Sequence, residues 1–317
     1  MSRPYRLLIL ATLGLAFVVV VVGAYVRLSD AGLGCPDWPL CYGQPLPGDI
    51  ADRDALAKAW KEMGHRYLAG TLGLLILLIS MWSWRARRSP GLATALLALV
   101  IFQATLGAWT VTMLLRPAIV TAHLLGGMAI LALLAWLALT QFPHTGRAPE
   151  LRVPAALALA VLAIQIALGG WVSSNYAALA CPDLPLCHGQ GLPPMDFANA
   201  FHVLRELGQT PQGALLPREA LTAIHWSHRM FALLAVAVIG WAAFRALEVS
   251  KGLAALVAAL LVLQFSLGVA NVLVSRPLGL AAAHNAGAAL LLAALVVLNF
   301  SAFRGSLAGS LPHRASK

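Results

Sequence analysis

Residues 35–41 read CPDWPLC and residues 181–187 read CPDLPLC, and these two segments contain all four cysteines of the chain. The flanking sequence repeats in the same order: GHRYLAGTLGLLI (64–76) matches SHRMFALLAVAVI (227–239), QATLG (103–107) matches QFSLG (264–268), and RPAIVTAH (116–123) matches RPLGLAAAH (276–284). The pattern indicates an internal duplication, with an N-terminal half over residues 1–145, a C-terminal half over 150–305 and a tail over 306–317.

The composition predicts a membrane protein. Of 317 residues, 60% are hydrophobic and 11% are charged, and the mean hydropathy is +0.80, whereas soluble domains carry roughly 25% charged residues. Eight apolar runs of about 20 residues are each long enough to cross a hydrocarbon core as a helix. The predicted fold is an all-α membrane protein, with two pseudo-twofold-related four-helix bundles and the first run kept as an anchor. The runs lie near 7–27, 67–84, 92–115, 118–142, 153–173, 221–244, 252–275 and 279–303.

The distribution of charge predicts the orientation. With the N-terminus placed in the cytoplasm, the inner segments hold twelve basic and two acidic residues, and the outer segments hold ten of each. The whole net charge of +10 then lies on the cytoplasmic side, which is the positive-inside pattern and not a nucleic-acid footprint. Both termini are predicted to be cytoplasmic, and both cysteine segments extracytoplasmic, in a multi-pass protein of a bacterial-type cytoplasmic membrane.

The cysteine spacing allows a local bridge in each half. Cys35 and Cys41 are six positions apart, as are Cys181 and Cys187, and the predicted compartment permits disulfides. Spacing alone does not prove connectivity. The alternative is a soft metal site, for which only His188 offers a nearby imidazole.

Four histidines lie near the outer ends of apolar runs, and the repeat equates His65 with His228 and His123 with His284. Ionisable residues inside a membrane are costly and usually functional. Two imidazoles from different helices at one depth can supply both axial ligands of haem iron, so a haem is predicted in each half. The arginine after the first histidine of each pair is a candidate for neutralising haem propionates; these are Arg66 and Arg229. Small residues such as Gly70 and Gly73 are interpreted as positions of close helix packing.

The two halves differ next to the first histidine of each pair. Glu62 in EMGHR (62–66) occupies the position of His225 in HWSHR (225–229). A carboxylate three residues before His65 lies on the same side of a helix, where it could accept a proton or stabilise a developing cation beside a haem. The alternative is an ordinary exposed acid near a helix N-terminus.

Over residues 5–303 the chain resembles the heme A synthase family. The most specific segments are CPDWPLCYGQ (35–44), EMGHRYLAGTLG (62–73), RPAIVTAH (116–123) and their C-terminal copies. The resemblance implies an oxidoreductase that converts the C8 methyl group of heme O into a formyl group by successive hydroxylation, making heme A for cytochrome c oxidase.

The resemblance also implies roles for the predicted site residues. His228 and His284 would hold heme b as cofactor, His65 and His123 would hold heme O as substrate, and Glu62 would be the catalytic carboxylate. The Cys35–Cys41 pair would lie beside the substrate site. Implied partners are heme O, heme O synthase, cytochrome c oxidase assembly factors and membrane lipid, with no nucleic acid; a homo-oligomer is left open.

Two other functions fit parts of the pattern. A di-haem transmembrane electron-transfer protein, such as a quinol or thiol oxidoreductase, would use the same histidines, but such carriers place haems toward opposite faces. A di-iron carboxylate enzyme would use Glu62 and His65, but it needs several further intramembrane carboxylates.

Overall fold

The computed structural model describes residues 3–48, 50–144 and 147–305, so the predicted tail over 306–317 lies outside the described residues. Within them, eight helices are long and apolar enough to span a membrane, which confirms the prediction of an all-helical, multi-pass membrane protein. The helices are α1 (Arg3–Leu28), α2 (Arg53–Arg85), α3 (Pro90–Thr112), α4 (Pro117–Leu139), α5 (Arg152–Ser174), α6 (Arg218–Ala246), α7 (Lys251–Leu273) and α8 (Leu278–Phe303).

The helix boundaries follow local sequence signals. The Asp52 side chain accepts a hydrogen bond from the backbone N–H of Asp54, 3.1 Å away, and caps α2. Pro90 and Pro117 occupy the first turns of α3 and α4, where the missing N–H costs no helical hydrogen bond. As a result α2 extends well beyond the apolar run that predicted it, and its first turns lie beside the first cysteine segment.

The helices pack in the same cyclic order in each half. In the N-terminal half α1 contacts α2, α2 contacts α3, α3 contacts α4, and α4 returns to α1; α5, α6, α7 and α8 repeat this order. Between the halves, α1 and α4 contact α8, and α4 contacts α5. Among the spans described, α8 is the most buried. The outward faces of the other helices expose leucines to lipid.

Each cysteine segment closes into a disulfide-bridged loop. Cys35 is bonded to Cys41 and Cys181 to Cys187, with Cα–Cα distances of 4.7 Å in both. The local bridges are therefore confirmed in the structure, and the soft metal site is not, because the sulfur atoms are bonded to each other. We refer to residues 35–44 as the first cysteine loop and to 181–190 as the second.

An aspartate organises the turn of each cysteine loop. The Asp37 carboxylate accepts hydrogen bonds from the backbone N–H groups of Tyr42 and Gly43, at 2.6 and 2.8 Å. Both donors have positive φ angles, of 53° and 73°, which point successive N–H groups at one anion. Partial burial acts to raise the pKa of Asp37, but the hydrogen bonds from Gly43 and Tyr42 outweigh it and hold that pKa below its usual value.

The second loop has the same construction. Asp183 accepts from the backbone N–H groups of His188 and Gly189, at 2.7 and 2.8 Å. The bond from Gly189 is the main cause that lowers the pKa of Asp183. His188 therefore serves as a turn residue of its loop, and the duplication extends to the hydrogen bonds of the two loops.

Candidate functional site

All eight helices contribute to one large, mostly apolar cavity of about 1580 Å³. This volume exceeds the roughly 300–1,000 Å³ of an ordinary small-molecule site, so it has room for more than one bulky group. The cavity wall includes all four of the predicted haem-ligating histidines, and its charged residues among those described are four arginines and one carboxylate, Glu62. A di-iron carboxylate centre needs several carboxylates, so this wall does not suit one.

In the N-terminal half each cavity histidine lies against a glycine of a neighbouring helix. A Cβ atom added at Gly23 in α1 would lie 2.8 Å from Cε1 of His65 in α2. One added at Gly107 in α3 would lie 3.2 Å from Cε1 of His123 in α4. A side chain at Gly23 would displace the His65 ring and one at Gly107 would crowd the His123 ring, so the two glycines help to set where the rings lie.

The C-terminal half repeats this arrangement. A Cβ atom at Gly169 in α5 would lie 3.1 Å from Cε1 of His228 in α6, and one at Gly268 in α7 would lie 3.2 Å from Cε1 of His284 in α8. Sequence reasoning missed all four glycines. A signal for two of them, Gly107 and Gly268, was present in QATLG and QFSLG, where a glutamine and a glycine four residues apart recur in both halves.

The glycines that the sequence singled out have a different environment. A Cβ atom at Gly70 or Gly73 would meet nothing within 4 Å, and both residues line the cavity. The interpretation of these two positions as close helix contacts is therefore wrong, because the face of α2 that carries them borders open space.

Glutamines hold the histidine-bearing turns in place. The Gln103 amide in α3 donates to the backbone carbonyl of His123, and the Gln165 amide in α5 donates to that of His228, 3.1 Å away. The amide of Gln165 is also 3.2 Å from Nδ1 of His228. By contrast, the Nδ1 atoms of the other three cavity histidines are buried without a partner among the described residues. Val19 stands at the repeat position of Gln165, so this contact is specific to the C-terminal half.

We expect Gln165→Val, which installs the residue of the N-terminal half, to weaken haem retention in the C-terminal half by roughly tenfold. The physical reason is that the Gln165 amide fixes the orientation of the His228 ring and of the turn that carries it, and loss of a group that orients a metal ligand typically costs 10–100-fold in metal affinity. Haem per chain after gel filtration measures the effect. Leu157→Val, an exposed position on the same helix, is the control, and equal retention by both variants would contradict the role given to Gln165.

Glu62 is buried and bonded through both carboxylate oxygens. Its side chain is 6% exposed, Oε1 lies 2.5 Å from Nη2 of Arg66, and Oε2 accepts from the backbone N–H of Cys35 at 2.9 Å. Glu62 is therefore not an exposed acid at a helix N-terminus, which was the alternative interpretation. It joins the first cysteine loop to α2 and faces the same cavity as His65.

His225 has the corresponding contact in the C-terminal half. Its Nδ1 accepts a hydrogen bond from the backbone N–H of Cys181, 3.2 Å away. Both halves thus use this position to hold the first cysteine of the loop, but only the N-terminal half places a negative charge there.

The two candidate propionate ligands also hold the cysteine loops. Arg66 donates to the backbone carbonyls of Asp37 and Leu40, at 2.9 and 2.7 Å. Arg229 donates to those of Asp183 and Leu186, at 2.9 and 3.1 Å. Nη1 of Arg229 remains buried without a partner among the described residues, whereas Nη2 of Arg66 is bonded to Glu62.

These features fit a haem. Among the described residues no cluster of three or more His, Cys, Asp or Glu side chains could hold a bare metal ion, whereas a porphyrin needs only two axial ligands from the protein. Imidazoles of the cavity have nitrogen atoms without partners within the described part of the chain and lie against glycines of neighbouring helices. The cavity walls are mostly apolar, and they include a buried guanidinium nitrogen of Arg229 without a hydrogen-bond partner among the described residues. The His65–His123 and His228–His284 pairs are the residues that would hold the iron.

Eight apolar helices around a cavity that bears paired imidazoles define a multi-pass membrane protein suited to haem. Comparison with known proteins is more specific: residues 6–296 match the COX15-CtaA family model, described as cytochrome oxidase assembly protein. The chain belongs to this family. It is 43% identical over 312 residues to a heme A synthase of Shewanella oneidensis, covering 91% of this chain and 94% of that protein. It is also 30% identical to a heme A synthase of Caulobacter vibrioides, covering 91% and 93%, and 31% identical to one of Methylorubrum extorquens, covering 85% and 79%.

Proposed function

We propose that this chain is an oxidoreductase that converts heme O into heme A, by oxidising the C8 methyl group to a formyl group, for use by cytochrome c oxidase. The observation that carries the proposal is the set of four cavity histidines, each seated against a glycine of a neighbouring helix. Relatives that match nearly the full length of the chain are heme A synthases.

One half binds the substrate haem and the other half binds the cofactor haem. The C-terminal half, residues 150–305, holds heme b through His228 and His284, and the N-terminal half, residues 1–145, holds heme O through His65 and His123. The difference at one repeat position supports this assignment, because the carboxylate of Glu62 faces the cavity in the N-terminal half and an imidazole replaces it in the other.

The halves form two four-helix bundles related by a pseudo-twofold axis along the membrane normal. Both termini are cytoplasmic and both cysteine loops are extracytoplasmic. The cyclic helix packing within each half supports the arrangement as two four-helix bundles. The excess of basic residues at one end of the helices supports the cytoplasmic placement of the termini. The two disulfides support the extracytoplasmic placement of the cysteine loops, since disulfides persist in oxidising compartments. Heme O carries a long apolar tail and enters the cavity laterally from lipid.

Glu62 is the residue that moves a proton. Conversion of the methyl group into a formyl group by two hydroxylations and loss of water releases four electrons and four protons when water is the oxygen source. A heme b held by His228 and His284 would supply a one-electron relay, passing the four electrons one at a time to an electron acceptor outside the chain. Glu62 accepts a proton from the attacking water, and the Arg66 guanidinium, 2.5 Å away, holds the carboxylate in place. The apolar cavity wall excludes bulk water.

Haem extraction and chromatography on the purified chain tests this function, after expression with and without heme O synthase. We expect heme b alone without the synthase, and heme O, heme A or a hydroxylated intermediate together with heme b when the synthase is present. Two molecules of heme b per chain under both conditions would instead identify a di-haem electron-transfer protein.

A further inference from the structure

The arginines on the cavity wall have different partners in the two halves, which is visible when equivalent positions of the repeat are compared. Among the described residues, the charged groups that line the cavity are Arg27, Glu62, Arg66, Arg229 and Arg276. In the N-terminal half, Arg66 is neutralised by Glu62 at 2.5 Å. In the C-terminal half, Arg229 has no carboxylate partner among the described residues, and one of its guanidinium nitrogens is buried and unbonded.

Arg276 adds a second cation to the C-terminal half. It lies in the turn before α8, with a φ angle of 59°, and its backbone N–H donates to the carbonyl of Asn271 at 2.7 Å. Arg276 is one of the residues that line the cavity, and within the described part of the chain its side chain forms no hydrogen bond or ion pair.

The repeat counterpart of Arg276 has a partner outside the cavity. Arg116 occupies the equivalent position in the RP motif, but its Nη2 lies 3.1 Å from the Glu206 carboxylate, and it is not among the residues that line the cavity. Arg66 and Arg116 are thus each paired with a carboxylate, whereas their repeat counterparts, Arg229 and Arg276, have no ion pair among the described residues.

Arg27, the remaining cation, is already engaged at the junction of the halves. Its Nη2 donates to the backbone carbonyl of Ser173 at 2.9 Å, and its guanidinium stacks 4.1 Å from the centre of the Tyr176 ring. Arg27 therefore does not remove the difference in unpaired positive charge between the two halves.

We propose that Arg276, together with Arg229, forms a dianion-binding site that takes the two propionate carboxylates of the haem in the C-terminal half. This inference rests on the proposed function and deepens it. Two unpaired guanidinium groups beside a low-dielectric wall bind two carboxylates strongly. Among the described residues, the two cavity arginines of the N-terminal half each have a carboxylate partner, Asp30 at 3.9 Å from Arg27 and Glu62 at 2.5 Å from Arg66, so the haem of that half is held less tightly. The asymmetry separates a resident cofactor from an exchangeable substrate.

The test is hemin binding to the full-length chain carrying His65→Ala and His123→Ala, which confines haem to the C-terminal half. Hemin and hemin dimethyl ester, which has no propionate charge, are compared by titration and by transfer to a haem scavenger. We expect Arg276→Gln to weaken hemin binding by about tenfold and to leave binding of the diester unchanged. Arg276→Lys should recover part of the loss, because it restores the charge without the planar fork.

The matched control is Arg116→Gln, the same substitution at the repeat position, which should change hemin binding by less than about twofold. Equal weakening of hemin and its diester by Arg276→Gln would assign Arg276 a purely structural role and overturn the inference, as would unchanged binding of both. The proposed function would survive either result. If the chain without His65 and His123 bound no haem at all, the assignment of heme b to the C-terminal half would fail instead.

Discussion

Replacing Glu62 by Gln is expected to reduce heme A formation by at least about 100-fold, the usual minimum contribution of a positioned acid–base group, while heme b stays bound and heme O accumulates. The substitution keeps the shape of the side chain, and its amide oxygen can still accept from the N–H of Cys35, so the first cysteine loop should stay in place. What it removes is the proton acceptor and the charge paired with Arg66. Chromatography of extracted haems measures the ratio of heme A to heme O.

Glu206→Gln provides the control for this substitution. It makes the same chemical change at an exposed acid whose one ion pair among the described residues is with exposed Arg116, and exposed ion pairs contribute little. Wild-type heme A levels are expected for the control. If Glu62→Gln also produced wild-type heme A with normal haem content, Glu62 would be a structural tie between α2 and the cysteine loop and not a catalytic residue.

The second large effect is expected from filling the glycine seats of the histidines. Gly23→Val should abolish haem binding in the N-terminal half and spare heme b, because the added Cβ would lie 2.8 Å from the His65 ring and the ring must move away from the cavity. Gly169→Val should do the reverse, since its Cβ would lie 3.1 Å from the His228 ring. A low-spin ferric spectrum and haem content per chain distinguish the two losses, each expected to exceed about tenfold since an axial ligand is displaced.

Gly14→Val serves as the matched control, because Gly14 lies on α1 like Gly23 and a Cβ there would meet nothing within 4 Å. It should bind haem as the wild type does. Overpacking alone costs about 1–3 kcal/mol, so thermal unfolding of each variant shows whether the chain stays folded. Normal haem spectra from both Gly23→Val and Gly169→Val would show that these glycines do not seat the histidines.

The duplication explains why many residues of the candidate site could be predicted from the sequence alone. His65 and His123 stand out because the same residue types recur at matched places in the other half, and an ionisable side chain in an apolar run is conspicuous by itself. A local bridge in each cysteine loop could be predicted for a similar reason, since the two cysteines of each pair are six positions apart and the loop between them is short.

The contacts that position these residues were not readable in this way. Gly23 and His65 are on different helices, as are Gln165 and His228, and nothing in the spacing of either pair indicates that they meet. Gly70 and Gly73 show the opposite error, because a glycine in a membrane helix has the same appearance in sequence whether it faces a neighbouring backbone or an open cavity.

The sequence by itself determined the features that depend on hydropathy and local order: eight apolar helices, a repeated sequence pattern, two cysteine pairs spaced for a local bridge and four histidines at matched positions. Tertiary structure alone decided which charged partners, distant in sequence, meet in space. Glu206 pairs with Arg116, 90 residues away, and Arg276 lines the cavity without an ion pair among the described residues. The reason is physical: hydrophobic burial in a helix follows from its own residues, whereas an ion pair or an imidazole seat requires two segments, often distant in sequence, to meet in space.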